Sequence, residues 1–119
     1  MENDRGETVL NIEEKDIFAV ETFKNNNNEM VVTFKEPKDV YDNIIVIDPG
    51  HGGMDFGVNG IKCMEKDVNL KICKKIENMF SGSDKVKVYL TRNSDDYLKD
   101  EKRVFFANQY ADLFLSIHL

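Results

Sequence analysis

Apolar positions follow two rhythms along the chain, and the change between them falls near residue 43. Ile17-Phe18-Ala19-Val20-Glu21-Thr22-Phe23 and Met30-Val31-Val32-Thr33-Phe34 are rich in β-branched and aromatic residues, and the Asn25–Asn28 run between them tolerates turn geometry. These two runs predict a β-hairpin, closed off by Pro37 and a polar stretch to Asn43. From Ile44 the pattern alternates. Ile44–Asp48 is a continuous apolar run, as expected of a strand covered on both faces. Val68, Ile72, Ile76 and Met79/Phe80 recur at helical spacing and predict a helix from Glu65 to Phe80, stopped by Ser81-Gly82-Ser83. Val86–Thr91 reads as a second strand, Glu101–Tyr110 as a second helix and Leu113–Ile117 as a third strand. The βαβαβ order predicts an α/β fold with a mostly parallel sheet and right-handed crossovers, flanked by helices and preceded by a β-hairpin and linker.

Charge marks the same boundary. Residues 1–43 hold 11 acidic and 5 basic side chains, whereas residues 44–119 hold 11 of each, so the first segment carries the whole net charge of -6. Residues 1–43 are therefore expected to be a hairpin and linker, in the manner of a remnant of a preceding β-domain, and residues 44–119 a separate domain. An acidic balance argues against nucleic acid, whose binding rests on clustered Lys and Arg. No run approaches the roughly 18 apolar residues of a membrane span, and Met1-Glu2-Asn3-Asp4-Arg5 is unlike a secretory signal. Cys63 and Cys73 lie ten positions apart, most of them on the first helix, too far for a disulfide, and both read as buried free thiols.

The chain has only two histidines, and both end an apolar strand: His51 within Asp48-Pro49-Gly50-His51-Gly52-Gly53, and His118 after Leu113-Phe114-Leu115-Ser116-Ile117. In a parallel α/β sheet the loops at the carboxyl ends of strands converge, so distant residues share one crevice there. The glycine loop alone also fits a phosphate cradle, although it lacks the P-loop and dinucleotide spacings, or a tight turn with a solvated His51 at its tip. His118 alone fits a packed core histidine, and Glu65 alone fits a helix-start acid favoured by the macrodipole. Together His51, Glu65 and His118 offer two imidazoles and a carboxylate, a donor set that catalytic zinc uses while keeping a fourth position open.

Five ordered blocks carry a more specific pattern: Asp48-Pro49-Gly50-His51-Gly52-Gly53-Met54-Asp55-Phe56-Gly57; Glu65-Lys66-Asp67-Val68-Asn69-Leu70; Thr91-Arg92-Asn93-Ser94-Asp95; Arg103 through Ala107-Asn108; and Ala111 through His118. This series resembles the zinc-dependent N-acetylmuramoyl-L-alanine amidases. The resemblance implies a Zn2+ ion held by His51, Glu65 and His118, hydrolysis of the amide between N-acetylmuramic acid and L-alanine, peptidoglycan or muropeptide as substrate, and action outside the membrane, in the cell wall or in secreted form. It implies that zinc lowers the pKa of water toward about 7 while a glutamate moves protons. In the family that general base lies well downstream of the second histidine, so it is expected beyond Leu119, and no residue here takes the role. The chain is accordingly expected to bind zinc and to hydrolyse muropeptides poorly, or to act as a non-catalytic zinc- or cell-wall-binding module. Arg92, Asp95, Arg103 and Asn108 belong to the pattern and are expected to fix loops by hydrogen bonding. Ser116 reads as a strand hydroxyl or a partner of the metal site, and Asp100 as a surface change at a position usually apolar in the family.

Overall fold

A computed structural model of the protein describes Ile12 and residues 17–119; Met1-Glu2-Asn3-Asp4-Arg5, read above as unlike a secretory signal, lies outside the described residues. The chain divides into two units, one through Glu36 and one from Pro37. In the first, β1 (Ala19–Lys24) and β2 (Met30–Lys35) pair antiparallel with Phe23 opposite Val31. Asn25 builds the turn: its Oδ1 accepts the Asn27 and Glu29 amides, and Asn28 takes φ 68°, a left-handed conformation that asparagine tolerates. Glu21 and Lys35 pair at 2.8 Å on the exposed face, worth at most about 1 kcal/mol.

The second unit begins with α1 (Pro37–Val40), a single turn opened by a proline. Lys38 pairs with one oxygen of Asp112 at 2.9 Å while the other accepts the Ile44 amide at 2.8 Å, which ties the segment assigned to the linker to the sheet. That sheet has the order β4-β3-β5, with β3 (Asn43–Pro49) central and β4 (Val86–Leu90) and β5 (Leu113–Ile117) parallel on either side. The crossovers are α2 (Glu65–Met79) and α3 (Asp100–Tyr110).

Successive side chains of β3 point to opposite faces. Ile47 packs with Cys73 of α2 and Val88 of β4, whereas Asp48, one residue on, meets Arg103 of α3. The two helices therefore cover opposite faces, and Ile44, Val46 and Ile47 are essentially inaccessible, as the continuous apolar run requires. The equally apolar β5 is different. Leu113, Phe114 and Leu115 are 56%, 38% and 44% exposed, because β5 is an edge strand that pairs only with β3 and α2 and α3 pack on β3 and β4.

The thiols also divide. Cys73 is buried, and burial pushes it up to about 11, so it stays protonated at neutral pH. Cys63 is exposed, contrary to the expectation, because it precedes α2 in a small turn closed by an Asn59–Met64 bridge. Among the described residues no helix is long and apolar enough to cross a membrane.

Candidate metal centre

At the carboxyl end of β3 the backbone turns through His51, Gly52 and Gly53 with φ of 65°, 135° and 57°. A Cβ at Gly52 would collide with the Asp96 carbonyl and crowd Arg92, so that position admits only glycine. His51 is a non-glycine residue in the left-handed region, a placement that persists only where the surroundings over-determine it.

Three cationic side chains do so by taking the loop carbonyls. Arg92 donates through Nε to the Pro49 carbonyl (2.9 Å) and through Nη2 to those of Gly50 (3.0 Å) and Lys66 (2.9 Å). Arg103 donates through Nη1 to the Pro49 carbonyl (3.0 Å) and through Nη2 to that of His51 itself (2.9 Å). Lys66 reaches the Gly53 carbonyl (2.8 Å) and Asp95 (2.7 Å), and Asp95 in turn accepts the Gly53 amide (2.9 Å). Asn69, fully buried one turn into α2, donates to the Gly50 carbonyl at 3.3 Å.

Asp48 anchors this clamp. Its carboxylate accepts Arg103 Nη1 (2.6 Å), Ser116 Oγ (2.7 Å) and the Thr91 hydroxyl. Burial alone would push Asp48 up, but the hydrogen bonds from Thr91, Ser116 and Arg103, with the Arg103 charge, outweigh it and hold the carboxyl below the usual carboxylate range. Thus Arg92, Arg103 and Asp95 do fix the loop, and Ser116 belongs to the same network through Asp48. Asn108 differs from the expectation: it is exposed on α3 and joins no side-chain hydrogen bond among the described residues. Asp100 is fully exposed at the helix start, where an acid suits the macrodipole.

Within this frame the two histidines and Glu65 meet. Glu65 opens α2 with its side chain 5% exposed, its Oε2 accepting the Val58 amide (2.8 Å) and its Oε1 the Leu119 amide (3.0 Å). Those hydrogen bonds, the one from Val58 above all, lower its carboxyl to about 2. His51 Nε2 lies 3.2 Å from Glu65 Oε1, His118 Nδ1 lies 3.3 Å from the same oxygen, and the two ring nitrogens are 3.2 Å apart. The rings stand edge to face at 81°. Space for them is made by missing side chains: a Cβ at Gly50 would overlap the His118 ring, and one at Gly57 would sit 2.6 Å from His51 Cδ2 and 2.7 Å from Glu65 Oε2.

The triangle fits a metal. In tetrahedral coordination at 2.0–2.1 Å, donor atoms stand about 3.3–3.4 Å apart, and three such donors leave the fourth corner free. Two imidazole lone pairs and a carboxylate converging at 3.2–3.3 Å otherwise repel or need extra protons, a conflict that a cation removes. On the opposite edge of the His51 ring, Nδ1 meets Asp55 Oδ2 at 2.9 Å. That bond and the Gly57 amide hold the Asp55 carboxyl below its usual range. His51 and His118 also line a cavity of about 400 Å³ walled by Tyr97, Leu98, Val104 and Phe114 and floored by Asp48, Arg103 and Ser116.

Reading the sequence missed Asp48 as the anchor, and Asp55 and Asn69 as neighbours of the candidate donors. The signal for Asp48 was present: a lone carboxylate ending a buried apolar strand requires a partner.

Residues 45–119, which contain the whole loop, Glu65 and His118, match the family Amidase_3, N-acetylmuramoyl-L-alanine amidase. The N-acetylmuramoyl-L-alanine amidase AmiC of Escherichia coli O6:H1 is 46% identical over 77 residues, 63% of this chain and 18% of that protein. LytC, an N-acetylmuramoyl-L-alanine amidase of Bacillus subtilis, is 44% identical over 75 residues, 62% of this chain and 15% of that protein. Among solved structures, the catalytic domain of the amidase CwlV from Bacillus (Paenibacillus) polymyxa var. colistinus superposes with a TM-score of 0.61 at 42% identity, covering 64% of this chain and 44% of that one. The chain spans less than half the length of each of these proteins. With its loop, helix-start glutamate and second histidine all inside the matched residues, the chain belongs to the N-acetylmuramoyl-L-alanine amidase family.

Proposed function

We propose that the protein acts on peptidoglycan as a zinc-dependent N-acetylmuramoyl-L-alanine amidase, with His51 Nε2, Glu65 Oε1 and His118 Nδ1 as the metal ligands. The observation that carries this reading is the triangle of donors 3.2–3.3 Å on a side, beside an open cavity in a member of this family. Zinc held by these three residues would supply Lewis acidity toward the amide carbonyl and toward water. The chain supplies the rest. Glu65, lowered to about 2, remains a carboxylate at any working pH. The Asp48–Arg103 pair fixes the His51 backbone, and the cavity, at about 400 Å³, is of the size that takes a small ligand, with an apolar wall for the muramyl-lactyl and alanyl groups. Peptidoglycan lies outside the membrane, so the site of action is extracytoplasmic.

Proton transfer is the weak step. Of the carboxylates lining the cavity, Asp48 is ion-paired, Asp55 lies on the far edge of the His51 ring, and Asp100 is fully exposed at the start of α3. None stands where it would take a proton from water at the donor triangle and pass it to the departing L-alanine amine, and the glutamate implied by the resemblance has no counterpart there among the described residues. The 119-residue chain therefore binds zinc and hydrolyses muropeptide slowly, about 10²–10⁴-fold below a relative with a placed general acid/base. Release of peptides with a free L-alanine amino terminus from muropeptide, compared with Bacillus subtilis LytC, tests this. Turnover equal to LytC would overturn the slow-step claim; zinc binding with no release at all would favour a non-catalytic zinc- or wall-binding module.

A further inference from the structure

We infer that Asp55 is the positioning residue for His51, fixing the tautomer and rotation of its ring so that Nε2 faces Glu65 and His118. The inference rests on the metal reading above, but its geometry stands independently. Asp55 returns to the histidine because the Gly52 amide donates to the Asp55 carbonyl (2.9 Å) and the Asp55 amide to the Gly52 carbonyl (3.1 Å), a reversal made at Gly53 and Met54. Both carboxylate oxygens are then used. Oδ2 meets His51 Nδ1 at 2.9 Å, and Oδ1 accepts the Gly57 amide at 3.2 Å, so the group is held in orientation as well as position.

An ionised carboxylate only accepts, so His51 Nδ1 must carry the hydrogen and Nε2 keeps its lone pair. That lone pair is the one aimed at Glu65 Oε1 and His118 Nδ1. Without Asp55 the ring is free to place its hydrogen on Nε2, inside the donor triangle, or to rotate about χ2. The Gly57 contact extends the effect: Gly57 adjoins Val58, whose amide holds Glu65 Oε2, so one short loop sets two of the three donors. Asp55 is half exposed, so solvent screens the pair and it contributes little to the stability of the fold. A ligand's outer partner, by contrast, is worth about 10–100-fold in metal affinity.

The test joins long-range 1H–15N imidazole NMR on the metal-free protein to zinc titration against a competing chelator, for wild type, Asp55→Ala and Asp55→Asn. Wild type should show His51 with its hydrogen on Nδ1. Asp55→Ala should give mixed tautomers and a Kd for zinc weakened about 10–100-fold, with Asp55→Asn, whose amide oxygen still accepts from Nδ1, recovering most of that loss. An Asp55→Ala protein that keeps the Nδ1–H tautomer and a wild-type Kd overturns the inference, as does a wild type already mixed in tautomer. Should Asp55→Ala fail to fold, the wild-type tautomer and Asp55→Asn decide between the same outcomes. A wild type with the Nδ1–H tautomer but no zinc affinity would instead sink the metal reading and leave the orientation by Asp55 standing.

Discussion

Arg103→Met should destabilise the protein by about 3–5 kcal/mol, because it leaves the carboxylate of Asp48 buried without a countercharge. The two side chains are 8% and 4% exposed and pair at 2.6 Å, so water cannot replace the lost partner. Methionine roughly preserves the volume and isolates the charge effect. The same substitution frees the carbonyl of His51, which Arg103 holds at 2.9 Å, and should weaken zinc binding as well. Urea unfolding of the metal-free protein measures the first effect; a loss below about 1 kcal/mol would mean the pair behaves as a surface contact. Acid should act on the same centre. Asp48 has a carboxyl below the ordinary range in the folded state, so its contribution is complete above the unfolded value of about 3.9 and is lost as pH falls through and below it. Stability should therefore drop on acidification below about pH 4, and Arg103→Met should flatten that dependence.

Glu65→Ala should weaken zinc binding by more than about a hundredfold, beyond the loss expected of an outer partner, since it removes a ligand rather than a support. It removes more than a charge. Glu65 Oε1 is the corner shared by both imidazoles, at 3.2 and 3.3 Å, and its two oxygens also collect the amides of Val58 and Leu119. Without it the loop before α2 and the residue after His118 lose their common acceptor, so the two histidines should no longer be held at 3.2 Å. Glu65→Gln separates the contributions: its amide oxygen still accepts from a backbone N–H while the negative charge is gone. Zinc affinity should be strongly reduced in both variants, with thermal stability of the metal-free protein falling more in Glu65→Ala. A wild-type Kd in either would remove Glu65 from the ligand set.

The alternating architecture was legible because each element carries its own period. The apolar run of β3, the spacing Val68–Ile72–Ile76 of α2 and the strand Leu113–Ile117 are local patterns, and their ends fall within a residue or so of the expected ones. The candidate donors were legible only in combination. A strand-end histidine and a helix-start glutamate each have ordinary structural uses, and it is the parallel order β4-β3-β5 that carries them to one edge. What stayed hidden depends on long-range contact. The reach of Arg103 from α3 to the carbonyl of His51, the return of Asp55 through a reversal at Gly53 and Met54, and the exposure of Cys63 and of β5 follow from which surfaces meet, and periodicity does not encode that. Gly57 is the clearest case. In the sequence it is one more loop glycine, whereas in the structure it is the position where any Cβ would strike both His51 and Glu65.

Metal content by mass spectrometry, after chelator stripping and reloading, tests the site most directly when wild type is compared with His51→Ala and His118→Ala. The geometry predicts about one zinc ion per wild-type chain and its loss in both variants, because a tetrahedral site that already leaves one corner open cannot retain the ion on two protein donors. A wild-type chain that takes up no zinc, or variants that retain it at the wild-type stoichiometry, would contradict the assignment of His51, Glu65 and His118 as a metal centre.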